Sequence, residues 1–214
     1  MKIKSFNSTA LLLLLLIVLL SGCYKKDKLV GEYYLTDEMK QTVPFDGSET
    51  LYFVDGEDTI VLDQGERNIS KSTVRLSPNE YTYGENDDTE FKTENDQYFI
   101  YYVLQSNYYY NNPGRIKIMW TEYADNGSLI GKGLFLFNIP LNTATLEQDH
   151  QWFLDEMYVR GIKYSNVYCD SVPYYEGKTW PNEPKTVYYT EDAGIIKIDF
   201  VQGNTWELLK TDWD

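Results

Sequence analysis

Residues Arg115–Asn138, RIKIMWTEYADNGSLIGKGLFLFN, decide the fold. Ile116, Ile118 and Trp120 alternate with Arg115, Lys117 and Thr121, which is the period of two expected of a half-buried strand. Asp125-Asn126-Gly127-Ser128 interrupts the alternation, and Asn-Gly supplies the positive φ angles that a tight hairpin turn requires. A second apolar run, Leu129–Asn138, then returns. The segment reads as an antiparallel hairpin with one face in a core. The C-terminus repeats the device: Ile196, Ile198 and Phe200 point one way, Gln202-Gly203-Asn204 turns, and Trp206 and Leu208 come back on the matching face.

Outward from these hairpins, short strands are predicted at Glu32–Thr36, Thr50–Val54, Thr59–Asp63, Ser72–Leu76, Tyr98–Leu104, Lys163–Val172 and Thr186–Thr190, besides Arg115–Tyr123, Leu129–Asn138, Gly194–Phe200 and Thr205–Lys210. Tyrosine supplies 20 residues against 4 methionines, and aromatic residues favour strands. One helix is predicted over about 146–160. Thr145 and Gln148 form a capping box, Leu146, Phe153, Leu154 and Met157 an apolar stripe, and Gly161 suits the C-terminal cap. The expected fold is mainly β: a single antiparallel β-sandwich or barrel-like domain over residues 29–214 with that one short helix.

The N-terminus has a different composition. Lys2 and Lys4 precede a wholly apolar run from Ala10 to Leu20, within the length of a secretory signal core and short of the roughly 18 residues that span a bilayer. Leu20-Ser21-Gly22-Cys23 closes the run and resembles the lipobox of bacterial lipoproteins. That resemblance implies a signal peptide at residues 1–22, acylation and cleavage at Cys23, and a tether over residues 23–28. An acyl anchor of two or more chains holds a protein durably on a membrane. Tyr24 stands where an aspartate would retain such a protein in the inner membrane, so the outer membrane is the expected location.

Removing residues 1–22 from the 214 leaves 192, enough for one domain with its own core. Acidic residues number 33 against 19 basic ones, a net charge of −14, and losing Lys2 and Lys4 with the signal takes it to −16. Such a surface repels phosphate backbones, so nucleic acid is excluded as a partner. Of the two cysteines, Cys23 would carry lipid, which leaves Cys169 without a disulfide partner.

Candidate chemistry is sparse. His150 is the sole histidine, so a zinc site of nitrogen and sulfur ligands cannot be assembled, and no metal or cofactor is expected. Glu85-Asn86-Asp87-Asp88-Thr89-Glu90 reads as an acidic loop, a solvated turn or a weak calcium site. Tyr108, Tyr109 and Tyr110, and then Tyr174, Tyr175 and Trp180, sit in Asn-, Pro- and Gly-rich segments that read as exposed loops. Flat rings with polar edges suit stacking on sugars or contact with a protein. These six form the predicted ligand-binding set, and no catalytic residue is assigned.

Lys163–Val167, Tyr188–Lys197 and Gly203–Leu208 resemble the C-terminal strands of Bacteroidetes-type cell-envelope lipoproteins, small β-rich domains with no assigned catalytic residue. The resemblance implies an envelope location and a β fold. The expected function is a non-catalytic outer-membrane lipoprotein that binds a partner protein or a glycan. A carbohydrate-active hydrolase is one alternative. The other is a carrier of apolar ligands, because Leu29–Tyr34 resembles the first strand of lipocalin-like barrels.

Overall fold

A computed structural model describes residues 26–106, 114–141, 150–171 and 180–213, without the side chains of residues 64–66. The alternating segments form β1 (Lys28–Tyr33), β2 (Thr50–Asp55), β3 (Asp58–Ser77), β4 (Glu80–Lys92), β5 (Tyr98–Gln105), β6 (Gly114–Tyr123), β7 (Leu129–Ile139), β8 (Gln151–Val159), β9 (Ile162–Ser171), β10 (Pro184–Thr190), β11 (Gly194–Phe200) and β12 (Thr205–Asp212). They make one sheet in the order β7-β6-β5-β4-β3-β2-β12-β11-β10-β9-β8, with β1 lying parallel beside β4. The sheet curls into a half-barrel. Each strand from β2 to β6 pairs with its successor, as does each from β8 to β11, and the β12–β2 pair joins the two runs. β3 serves both halves, pairing with β2 through residues 58–62 and with β4 from Asp63 to Ser77.

Both predicted hairpins form. Ile116, Ile118 and Trp120 are buried, as are Ile196, Ile198, Phe200, Trp206 and Leu208. The Asn126-Gly127 turn is a variant of the expected one. Only Gly127 takes a positive φ, 76°, while Asn126 contributes its side chain, whose Oδ1 accepts the Ser128 N–H at 2.9 Å. The half-barrel's interior is filled by rings: Trp120 lies 5.1 Å from Phe200 and 5.8 Å from Trp206, and Tyr98 lies 4.8 Å from Trp206. Each such pair adds about 0.5–1.5 kcal/mol beyond its buried area. The segment before β2, with a single helical turn α1 (Asp37–Lys40), covers one end of this interior by inserting Phe45 against Phe91 and Tyr102.

The helix expected over 146–160 is corrected: residues 151–159 are strand β8, and residues 146–149 lie outside the described residues. Arg160 and Gly161 have φ of 52° and 80°. Two successive left-handed residues make a two-residue hairpin turn, and β8 pairs with β9 from Val159↔Ile162 to Gln151↔Asp170. Gly161 thus turns a hairpin and caps no helix, and cross-strand partners such as Phe153 with Tyr168 use the apolar stripe. The acidic segment 85–90 is likewise no loop. It lies within β4, and buried Asp87 is held by Arg67 through Nε–Oδ1 at 2.9 Å and Nη2–Oδ2 at 2.5 Å. The segments 59–63 and 72–76 belong to the single strand β3.

β7 ends the sheet order on one side and β8 on the other, and β7 approaches β9 and β10 across the resulting seam. Side chains bridge it. Asp170 Oδ2 of β9 accepts the Leu136 N–H of β7 at 2.8 Å, Gln151 Nε2 donates to the Leu136 carbonyl, and Tyr168 Oη donates to the Leu141 carbonyl at 2.6 Å. Glycines allow the approach. A Cβ on Gly131 would meet the Asn182 carbonyl oxygen at 2.4 Å and the Trp120 ring at 2.6 Å, and one on Gly133 would meet the Pro184 ring at 2.3 Å. Gly131→Ala should lower stability by about 1–3 kcal/mol, the usual cost of overpacking. Gly127→Ala, facing open space, should lose only the left-handed penalty of about 1 kcal/mol. Urea unfolding of both variants checks this, and a smaller loss at Gly131 would contradict a close-packed seam.

Candidate functional site

β5 has two apolar faces. Ile100, Tyr102 and Leu104 enter the core, while Phe99 and Tyr101 point to the outer face of the sheet. An antiparallel sheet with one covered face ordinarily carries polar residues on the other. Pairing register extends these outward positions into rows. Glu90 of β4, Tyr101 of β5 and Met119 of β6 form one; Phe99, Thr121 and Lys132 of β7 form the next. Tyr123 packs edge-on against Phe99, with centroids 5.7 Å apart at 81°.

Over these rows lies a groove of about 800 Å³, bounded by the β4–β5 turn with Asn95, Asp96 and Gln97 and by the β6–β7 turn with Asp125 and Gly127. Its size falls within the about 300–1,000 Å³ typical of ligand sites. Lys92 holds Asp96 by a 2.7 Å ion pair. Burial, followed by the charges of Asp88 and Glu90, raises the Tyr101 hydroxyl above its ordinary value, so it remains a proton donor. The groove is also far from the start of β1. Lys28 of β1 pairs with Glu80 at the start of β4, and Glu90 lies ten residues along the same strand, roughly 30 Å away.

Of the predicted ligand-binding residues, Tyr108, Tyr109, Tyr110, Tyr174 and Tyr175 lie outside the described residues, as does Cys23. Trp180 is half-buried, and its carbonyl accepts Gln202 Nε2 at 3.2 Å beside the C-terminal hairpin turn. Phe99, Tyr101, Met119 and Tyr123 of the groove fall within predicted strands, where alternation alone assigns them no ligand role. The available signal was the outward set Phe99, Tyr101, Met119 and Tyr123, apolar where a solvated face should be polar. Among the described residues no group of three or more His, Cys, Asp or Glu side chains could hold a metal ion.

A second polar site lies on the seam. His150 Nε2 stands 3.2 Å from Asp170 Oδ1, and the His150 carbonyl accepts the Ser171 N–H at 3.1 Å. Cys169, next along β9, is fully buried, and burial pushes its thiol up to about 12 with the charges of Asp170 and Asp199 adding to the effect. A thiol so placed packs as a small apolar side chain. Asp88 of β4 is also raised, by burial and then by the charge of Asp87, and its Oδ1 is buried without a hydrogen-bond partner. No family model, curated protein or solved structure matches this chain.

Burial pushes Asp170 from its ordinary 3.8 up to about 6, opposed by the Leu136 N–H and the charge of His150. The folded chain therefore binds this proton more tightly than the unfolded chain. The stability it contributes is fully present below about pH 4 and is lost as pH rises through about 6. Asp170→Asn cannot titrate and should remove this decline, on the order of 2–3 kcal/mol between about pH 4 and pH 7. Urea midpoints of the two proteins across that range check it, and superimposable pH profiles would remove Asp170 as the source.

Proposed function

We propose that the protein is a non-catalytic lipoprotein of the outer membrane, anchored through Cys23, that binds an envelope glycan or partner protein through the outer face of β4–β7. The observation that carries the proposal is the groove over Phe99, Tyr101 and Tyr123, an aromatic surface on the face of the sheet that the core does not use. Its position supports display. The tether enters at β1, beside the start of β4, while the groove lies at the other end of that strand. Ring packing of Trp120, Phe200, Trp206 and Tyr98 in the half-barrel's interior favours surface binding over a lipocalin-like carrier of apolar ligands.

The anchor rests on Lys2, Lys4, the Ala10–Leu20 run and Leu20-Ser21-Gly22-Cys23. Among the described residues no helix is long and apolar enough to cross a membrane. In cells fed a labelled fatty acid, the native chain should take up label and sediment with outer membranes. Cys23→Ser should lose both properties, and a variant that still labels would sink the anchor.

A further inference from the structure

We infer that the groove over β4–β7 binds an uncharged sugar chain, which rests on the binding reading above and names its ligand class. A sugar ring has an apolar face of C–H groups and an edge of hydroxyls, so its receptor needs flat rings flanked by hydrogen-bonding groups. The rows supply this pattern. Phe99 and Tyr101 occupy successive outward positions of β5, about 7 Å apart along the strand. Glu90 stands beside Tyr101 on β4, and Thr121 and Lys132 continue the row of Phe99 on β6 and β7. A carboxylate accepts from adjacent hydroxyls, an ammonium donates, and a hydroxyl does both.

Charge narrows the class. Glu90 and Asp125 line the groove against Lys132, Asp96 is held by Lys92, and the chain's net charge is −14, so phosphorylated or uronate-rich chains are repelled by the protein as a whole. The same arrangement disfavours a protein. Protein interfaces keep charged residues out of their centres, whereas here the Glu90 carboxylate is the immediate cross-strand neighbour of Tyr101.

The test is calorimetric titration of the full-length protein, in a zwitterionic detergent without a sugar headgroup, with maltohexaose, cellohexaose, xylohexaose and mannohexaose, and with polygalacturonate as the anionic comparison. At least one neutral chain should bind while polygalacturonate does not. Tyr101→Ala should weaken that binding by roughly tenfold or more. Phe99→Leu serves as a second variant, with circular dichroism confirming that both fold.

Binding of polygalacturonate alone, of none of the neutral chains, or of a neutral chain as tightly by both variants as by the native chain would overturn the inference. Met119→Cys carrying a photo-crosslinker, irradiated in whole cells, separates this failure from that of the binding reading. A protein adduct without sugar binding removes the sugar and keeps a binding module. Neither adduct nor sugar binding removes both.

Discussion

The half-barrel depends on how its seam is closed. A curled sheet ends in two strands with bare backbone groups, and such edges invite pairing with other chains. Between β7 and β9 the missing ladder is replaced by side chains, with Asp170 and Gln151 taking the Leu136 N–H and carbonyl as a neighbouring strand would. A hydrogen bond to a charged acceptor contributes about 1.5–3 kcal/mol. The acceptor here is a carboxylate 2% exposed, so much of that gain is offset by desolvation, and the raised Asp170 expresses the cost. His150, 3.2 Å from the other carboxylate oxygen, places its imidazole where that charge develops.

Closure by side chains demands small residues beneath them. Gly131 and Gly133 lie on the inward side of β7, where the chain entering β10 crosses, and Asn182 Nδ2 reaches buried Glu122 at 2.7 Å from the same crossing. Fixing β7 in this way also fixes its outward residues. Lys132 sits between those two glycines, so the packing that admits the Asn182–Pro184 segment on one face sets where the ammonium stands on the other. Seam and groove thus share a strand.

Sequence patterns revealed the fold where local and tertiary preferences agree. At 115–138 and 194–210, alternation and turn residues point to the same hairpins that the core then buries. They misled where one segment satisfies two periods. Phe153, Leu154 and Met157 fit a helical stripe and also a strand whose faces are both half-covered, and the pair of left-handed residues at Arg160 and Gly161 decides for the strand. β4 was illegible for a different reason. Asp87 looks solvated until Arg67, twenty residues away in sequence, arrives to pair with it, and no local pattern announces that partner.

The groove follows from the same distinction between local pattern and tertiary need. Ile100, Tyr102 and Leu104 suffice to attach β5 to the core, so the hydrophobic effect gives no reason for Phe99 and Tyr101 to be apolar on the other face. Cross-strand packing explains part of their placement, since Phe99 meets Tyr123 edge-on. Tyr101 has no such ring partner among the described contacts. It lies between Glu90 and Met119, where threonine, another good strand former, would serve the sheet as well. An aromatic residue that the fold does not require, set beside a carboxylate it does not neutralise, is what a surface built for a ligand with both apolar and polar edges would carry.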